Sequence, residues 1–325
     1  MVSRLRLAQD DGLLTFAEPA AFVNAPGDVD LADLHGRASN GNILDHARLA
    51  ARGIDVTPVQ EGEAAASVVH CHRSKPATFD MLARAFDLTT KGGIVAVDGA
   101  KTDGIESIAK ALKKRFAGVE TYSKAHGKLV WVSRPDTLPD LSDWRAEPQQ
   151  VDGFWTSAGV FSADGIDKGS ALLTTHLPQL RGRGVDLGAG WGYLSHAVLQ
   201  SGDVAALDLV EADFAACEMA RRNIDDPRAK VHWADVMSHQ GSYDFVVSNP
   251  PFHMTRRADP TIGQGFISKA ALLLQPKGSF WLVANQNLPY EAVLAESFQL
   301  VEKQAVEGGF KVISASRPRI SRARV

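Results

Sequence analysis

The chain has 325 residues, which is long for a single hydrophobic core, so two domains are expected. Hydrophobic residues make up 45% of it, which is normal for a globular protein. Its 35 lysines and arginines nearly balance 38 aspartates and glutamates, which excludes an overall basic field for nucleic acid. Two cysteines exclude a disulfide framework. The stretch MVSRLRLAQDDGLL contains no apolar run long enough for a signal peptide, and no run of about 18 apolar residues occurs, so we expect a cytoplasmic protein that does not enter a membrane.

The chain divides into two similar halves. Residues 137–150, TLPDLSDWRAEPQQ, are rich in proline and polar residues and are interpreted as a linker between residues 1–136 and residues 151–325. Both halves contain a Lys-Gly turn, an apolar strand, a loop and an amphipathic helix: KGGIVAVDGAKTDGIESIAKAL from Lys91 and KGSFWLVANQNLPYEAVLAESF from Lys277. This repeat predicts a duplicated α/β domain.

The first half lacks the motifs that the second half carries. Where the second half has VVSNPPF, the first has VVHCHRSK, and only Gly41 falls where a glycine-rich loop is expected. His70, Cys71 and His72 suggest a metal, but neighbours on an extended segment point to alternating faces, so no metal site is predicted. We expect the first half to be a copy of the fold without its site.

The second half begins with a strand, a glycine turn and a helix, RGRGVDLGAGWGYLSHAVLQ. Gly188, Gly190 and Gly192 let the backbone approach a ligand closely. The spacing G-x-G-x-G differs from the G-x-G-x-x-G of dinucleotide-binding proteins. It resembles motif I of class I methyltransferases that use S-adenosylmethionine. Asp186, at the strand end, would then lie near the positively charged end of that cofactor.

The next two strands each deliver a carboxylate. VAALDLVEAD contains Asp208 and Glu211, and an acid at the tip of the second strand can accept hydrogen bonds from both ribose hydroxyls. Glu211 is preferred because it lies just before a helix, although either acid could be a helix cap or a surface charge. The strand within KVHWADVM ends at Ala234-Asp235. An acid there matches the usual methyltransferase contact to the adenine amino group; a plain turn residue is the alternative.

A fourth strand, Phe245–Val247, ends in Ser-Asn-Pro-Pro-Phe-His. Two prolines turn the chain in a fixed direction, and open α/β sheets bind ligands beyond the carboxyl ends of their strands. The motif [DNS]-P-P-[FYW] belongs to enzymes that methylate planar nitrogens. The Asn249 oxygen and the Pro250 carbonyl can accept the hydrogens of an amine, while Phe252 stacks on its ring. Asn249, Pro250, Pro251 and Phe252 are therefore the predicted catalytic residues, and Asn249 also borders the cofactor.

GVFSADGIDKGSALLTTHLP, VDLGAGWGYLS, VSNPPFH and FKVISASR together resemble the ribosomal RNA small subunit methyltransferase C family and its large-subunit relative. The resemblance implies two tandem Rossmann-like class I methyltransferase domains, with a seven-stranded, mostly parallel sheet in the second and a degenerate first copy. It implies guanine N2 methylation of ribosomal RNA, most strongly 16S, by a monomer that binds the small ribosomal subunit and one S-adenosylmethionine per chain. It also implies substrate contacts from Phe161 and from His253, for which a capping histidine is the alternative. Trp191 departs from the small residue common in the family and could narrow the cofactor mouth.

Two alternatives stay open. The Asn-Pro-Pro motif also serves adenine N6 methyltransferases and enzymes that modify a protein glutamine amide. A non-catalytic RNA-binding assembly factor, made of two degenerate domains, is the second alternative. The complete glycine turn, Glu211 and the Asn-Pro-Pro-Phe motif within one half favour an enzyme.

Overall fold

The computed structural model describes residues 3–31, 34–251 and 260–319, which form two compact units. The first unit contains the described residues up to Pro148 and residues 157–159. The second contains residues 149–156 and the described residues from Val160 onward. Each is an α/β unit with its own seven-stranded sheet, so the predicted pair of Rossmann-like domains is confirmed.

The first unit has one sheet and four α-helices among the described residues. In chain order its elements are α1 (Arg4–Asp10), β1 (Ala20–Val23), β2 (Gly36–Ser39), α2 (Ile43–Ala51), β3 (Val56–Thr57), β4 (Ala64–His70), α3 (Lys75–Leu88), β5 (Thr89–Ala100), α4 (Ile105–Arg115), β6 (Glu120–Lys124) and β7 (Gly127–Ser133). The sheet order is β3-β2-β1-β4-β5-β7-β6, and β7 runs antiparallel to its neighbours.

The second unit repeats this arrangement after a small hairpin, β8 (Gln149–Val151) and β9 (Phe154–Thr156). Its other elements are α5 (Lys168–His176), β10 (Gly182–Leu187), α6 (Tyr193–Leu199), β11 (Val204–Glu211), α7 (Phe214–Asn223), β12 (Ala229–Trp233), β13 (Tyr243–Ser248), α8 (Pro260–Leu273), β14 (Leu274–Asn285), α9 (Glu291–Ser297), β15 (Phe298–Glu307) and β16 (Phe310–Pro318). The order β12-β11-β10-β13-β14-β16-β15 is that of the first sheet, again with one antiparallel strand, β16.

The apolar pattern of the second unit explains its layers. The central strands β10 and β13 are buried along most of their length, as parallel strands covered on both faces must be. In α8, Phe266, Ile267, Ala270 and Leu273 recur at helical spacing and are buried against this sheet. The packed sheet therefore holds the carboxyl ends of its parallel strands at one edge, where the predicted site residues lie.

The predicted linker at 137–150 packs against the first unit as far as Pro148. Leu141 and Trp144 are buried in its core, and the Trp144 ring lies 5.0 Å from that of Phe79. Two apolar side chains in a polar, proline-rich segment are enough to fix it to an existing hydrophobic cluster. The boundary between the units therefore lies near residue 148 rather than 136.

The prediction that Gly41 lies where the first half would have its glycine-rich loop is wrong, because that loop belongs after β1. Gly41 follows β2, so it corresponds to the residues after β11. The turn after β1, the counterpart of the glycine turn, is Asn24-Ala25-Pro26-Gly27.

Of the helices in the described ranges, none has the length and apolar character that crossing a bilayer requires.

Candidate active site

The glycine turn joins β10 to α6 at the carboxyl edge of the second sheet. Gly188, Gly190 and Gly192 have φ values of +73°, +56° and +93°, a region that residues with a Cβ rarely adopt. A Cβ on Gly192 would lie 2.9 Å from Ile224, whereas one on Gly190 would meet nothing within 4 Å. Gly192 is therefore favoured by its positive φ and by its close contact with Ile224, and Gly190 faces open space that a ligand can enter.

Glu211 ends the neighbouring strand β11 and is bonded directly to this turn. Its Oε2 accepts a hydrogen bond from the Gly190 N–H at 2.8 Å, and its Oε1 accepts one from the Asp213 N–H at 2.8 Å. Burial raises the pKa of the Glu211 carboxyl. Each carboxylate oxygen keeps a further lone pair, so Glu211 can still accept two hydroxyl hydrogens beside Gly190.

Asp208, the alternative to Glu211, belongs to a different environment. It is buried, and it accepts hydrogen bonds from Arg183 at 2.7 Å and from Tyr243 at 2.8 Å, while His232 Nε2 lies 2.7 Å from its other oxygen. Burial opposes its ionisation, but these hydrogen bonds outweigh that cost and lower its pKa to about 2. Its carboxylate is occupied by structural partners away from the glycine turn.

Asp186, in β10 two residues before Gly188, is fully buried. Ser195 Oγ donates to its Oδ2 at 2.7 Å, and Oδ1 has no partner. Burial raises its pKa to about 7. A buried acceptor without a partner is rare in native structures, and a donor or cation brought by a ligand would satisfy it.

Asn249 directly follows β13, next to the end of β10. Ser248 Oγ donates to the Leu187 carbonyl at 2.7 Å and ties the two strand ends together. The Asn249 side chain donates through Nδ2 to Asp167 Oδ2 and to Ser170 Oγ, both at 2.9 Å. Both hydrogen bonds that it makes to described residues use Nδ2, so its Oδ1 is the atom left for an incoming donor.

Asn249 and the glycine turn line a small cleft. Its lining residues are Phe161, Ser162, Asp167, Ser170, Gly188, Ala189, Gly190, Trp191, Tyr193, Leu194 and Asn249. Phe161 leaves 50% of its surface exposed there. Trp191 is buried, and its indole Nε1 donates to the Phe161 carbonyl at 2.9 Å. Trp191 therefore holds the segment that presents the Phe161 ring.

The remaining predicted residues are distributed along the same edge or beyond the described ranges. Asp235 follows β12, and its Oδ1 accepts a hydrogen bond from the Met237 N–H at 2.9 Å. Pro250 is buried and Pro251 is exposed. Phe252 and His253 lie outside the described residues. In the described ranges, no three His, Cys, Asp or Glu side chains are grouped so that they could hold a metal ion.

Sequence reasoning missed Asp167 and Ser170. Asp167 caps α5 and accepts a hydrogen bond from the Ser170 N–H at 2.8 Å. The local signal for this cap is visible, because aspartate favours the N-cap and a residue three positions on supplies the donor. The sequence does not say that this helix end faces Asn249, which lies about 80 residues further along the chain.

Comparison with known proteins agrees with this geometry. Residues 152–314 match the methyltransferase small domain. The chain is 32% identical over 259 residues to ribosomal RNA small subunit methyltransferase C of Shewanella sp. (strain MR-4), with 76% of this chain and 75% of that protein covered. The protein of the same name from Shewanella oneidensis is 32% identical over 257 residues, with 75% of each covered.

Among solved structures, the fold is similar to that of the T. thermophilus 16S rRNA N2 methyltransferase in complex with AdoMet and guanosine. The TM-score is 0.80 at 24% identity, over 94% of this chain and 89% of that one. This similarity concerns the fold of both units. The sequence matches make the assignment: the chain belongs to the methyltransferase small domain family and, within it, to the ribosomal RNA small subunit methyltransferase C family.

Proposed function

We propose that this chain transfers a methyl group from S-adenosylmethionine to the exocyclic N2 amine of a guanine in 16S ribosomal RNA. The observation that carries the proposal is the Asn249 amide, which is bonded through Nδ2 so that Oδ1 remains for an amine beside the glycine turn. The relatives are named for methylation of small-subunit ribosomal RNA, and the T. thermophilus methyltransferase of similar fold was solved with AdoMet and guanosine bound.

The residues at the edge of the sheet fit this cofactor. Gly190 leaves open the space that a Cβ would fill, and the lone pairs of Glu211 suit the two ribose hydroxyls. The unpartnered Asp186 oxygen suits the positively charged end, and Asp235 lies on the same edge for the adenine amine. When bound, S-adenosylmethionine supplies an electrophilic methyl group.

The Asn249 loop would orient the amine of the substrate. The lone pair of a guanine amine is delocalised into the ring, which makes the amine a poor nucleophile. Asn249 Oδ1 and the Pro250 carbonyl would accept its two hydrogens and turn the lone pair out of the ring plane. Transfer would join the amine nitrogen to the methyl carbon as the carbon–sulfur bond breaks, which would leave a neutral thioether, and the surplus proton on nitrogen would pass to solvent. Positioning contributes more than any strong base. Phe161 and Phe252 are proposed to stack on the base.

Covalent catalysis by a thiol does not fit the second unit. Its cysteine, Cys217, is buried in α7, and burial raises the pKa of that thiol to about 12. A thiol so far from ionisation is a poor nucleophile at neutral pH. Direct transfer to a positioned amine is therefore the mechanism that the site supports.

The first unit is proposed to bind no cofactor and to dock RNA or stabilise the catalytic unit. One S-adenosylmethionine per chain follows. We further propose that the protein acts as a monomer in the cytoplasm, where its ribosomal RNA substrate is found. His253 is proposed to contact the base or a phosphate, as the family resemblance implies.

The test is methyl transfer from tritium-labelled cofactor to 16S ribosomal RNA and to small subunits, followed by mass-spectrometric identification of the modified nucleoside. We expect labelled N2-methylguanosine. Label at adenine N6, or in a release factor glutamine with none in RNA, would replace guanine by one of the alternative substrates. Absence of cofactor binding by calorimetry would instead favour a non-catalytic assembly factor.

A further inference from the structure

We propose that Asp167 and Ser170 act as positioning residues for methyl transfer, by fixing the Asn249 amide so that the site accepts hydrogen-bond donors and rejects acceptors. This pair is called the amide clamp below. The inference rests on the proposed function, since it explains how the site selects an amine.

The clamp fixes the orientation of the Asn249 amide through the hydrogen-bonding capacity of its two members. The Asp167 carboxylate can only accept hydrogen bonds, so only the Nδ2 side of Asn249 can face it. The second Nδ2 hydrogen goes to Ser170 Oγ at the same distance, 2.9 Å. Rotating the amide by 180° would place Oδ1 against a carboxylate oxygen and lose the hydrogen bond to Asp167, although the Ser170 hydroxyl could then donate to Oδ1. Asn249 therefore has one favoured orientation before substrate arrives.

The clamp is itself held in place by the start of α5. Asp167 Oδ2 accepts both the Asn249 amide and the Ser170 N–H, and Ser170 is buried. Gly169, between them, lies so close to Phe310 of β16 that a Cβ would approach its ring to 2.9 Å. Only glycine lets the helix start come this near the sheet. The segment GIDKGS thus encodes a rigid support for a residue about 80 positions away.

A fixed carbonyl oxygen discriminates among the groups of a purine. It accepts a hydrogen from an exocyclic amine, whereas the O6 and N7 atoms of guanine are acceptors and would be repelled. When the wrong group enters such a site, the polar group of the protein is left without a hydrogen bond. This penalty separates two substrates more strongly than a difference in shape does. The amide clamp therefore contributes to the choice of N2 as well as to the rate.

The decisive variant is Asp167→Asn. Asparagine caps a helix about as well as aspartate, so α5 should keep its start. While the cap is kept, the oxygen of the introduced amide still accepts from Asn249, because the cap and the clamp use the same oxygen. The hydrogen bond to Asn249 loses its charge, however, and the introduced amide, if rotated, could donate to Asn249 Oδ1, so the preference of Asn249 for one orientation is weakened. We expect kcat on small-subunit ribosomal RNA to fall about 10- to 100-fold, because the amine is misoriented in a larger share of complexes, while cofactor affinity and Tm stay close to wild type. Ser170→Ala should cause a smaller loss in the same direction.

Thr175→Ala is the matched control. Thr175 also lies on α5, but its hydroxyl donates to the Leu172 carbonyl on the exposed side. Its removal should leave kcat unchanged. Equal losses in Thr175→Ala and Ser170→Ala would mean that the helix, and not the clamp, determines the rate, and would overturn the proposal.

A charge exchange tests the pairing directly. Asn249→Asp sets a carboxylate against Asp167, whereas Asn249→Asp combined with Asp167→Asn restores one donor and one acceptor. We expect the double variant to be about 10-fold more active than Asn249→Asp alone. A double variant no more active than the single one would contradict a direct clamp.

The closing experiment does not depend on turnover. It uses NMR of the full chain labelled with nitrogen-15 to follow the side-chain NH2 group of Asn249. The resonances of this group are assigned by their loss in Asn249→Ala, and their hydrogen exchange reports whether the amide is held. We expect slow hydrogen exchange in wild type and faster exchange with shifted resonances in Asp167→Asn; unchanged resonances would overturn the clamp. If wild type methylates no RNA, the proposed function fails, and this spectrum still decides whether the amide is held.

Discussion

The two units have the same strand order, but the turns after their first strands differ. In the second unit, Gly190 faces open space and is bonded only through its backbone to Glu211. In the first, the Gly27 N–H donates to Asp45 of α2 at 3.1 Å, and the Gly27 carbonyl accepts from Arg52 at 3.0 Å. A Cβ on Gly27 would lie 2.8 Å from Arg48. Side chains of α2 and of its C-cap residue therefore occupy this turn, whereas the corresponding space at Gly190 is open.

The ends of the fourth strands differ in the same sense. After β13 comes Asn249, a residue whose amide is bonded on one side. After β4 comes Cys71, whose Sγ would lie 2.6 Å from a Cβ on Gly99, so it is packed against β5. Burial raises the pKa of the Cys71 thiol to about 12. We therefore expect the difference in activity between the two units to lie in a few loop residues, which each sheet only positions.

The largest effect should separate these two strand ends. Asn249→Ala removes the acceptor that orients the amine, and we expect the barrier to methyl transfer to rise by about 2–4 kcal/mol with cofactor affinity unchanged. Cys71→Ala, at the equivalent position of the first unit, should leave the rate at the wild-type value. Single-turnover methylation of small-subunit ribosomal RNA measures both. A full rate in Asn249→Ala would refute the assignment of this loop.

A second, smaller effect concerns the two turns. Gly190→Ala adds a Cβ in the space that the cofactor should enter, and we expect binding to weaken about tenfold or more, with roughly 1–2 kcal/mol lost from stability because φ is positive. Gly53 of the first unit, with φ of +78°, also has nothing within 4 Å.

Gly53→Ala is therefore a matched control for backbone strain. It should lower the free energy of unfolding by a similar amount, measured by denaturant titration, and leave cofactor binding unchanged in calorimetry. If both variants weakened binding equally, general destabilisation would explain the effect and the role given to Gly190 would be wrong.

The smallest effect distinguishes the first strands. Val23 pairs with Val69 as Asp186 pairs with Val247, so the second unit has a buried acid where the first has an apolar residue. Burial raises the Asp186 pKa from 3.8 to about 7, so the folded state binds its proton more tightly than the unfolded state does. The stability that this group contributes is complete below pH 3.8 and is lost as the pH rises through about 7.

Asp186→Asn should therefore reduce the fall in unfolding free energy between pH 4 and pH 8, by up to about 1 kcal/mol per pH unit. Denaturant titrations of wild type and variant without cofactor, at several pH values in this range, measure the difference. Identical slopes for the two proteins would show that Asp186 does not titrate as a buried acid.

Features that depend on residues close together in the chain could be predicted from the sequence. Strand and helix periodicity, the glycine spacing and the proline pair were enough for the sheet, the turn and the Asn249 loop, because each depends on neighbouring residues. The carboxyl ends of parallel strands then had to meet at one edge, which brought Glu211 to the glycine turn.

The errors and omissions have a common cause. The four residues of β1 are too short to show a period, so the local pattern points to the loop after β2 instead of the turn after β1. The polar segment around Trp144 predicts a linker, although burial of one indole ring outweighs that pattern. The contact between Asp167 and Asn249 depends on packing of α5 against β16, and no local spacing encodes it.

The central claim is that one chain contains two copies of the fold and a single cofactor site. Isothermal titration of the full chain with S-adenosylmethionine tests it most directly, with Gly190→Ala titrated in parallel. The account predicts one cofactor bound per chain, with affinity lost or strongly reduced in Gly190→Ala. Two cofactors per chain, or one whose affinity does not change in Gly190→Ala, would contradict it.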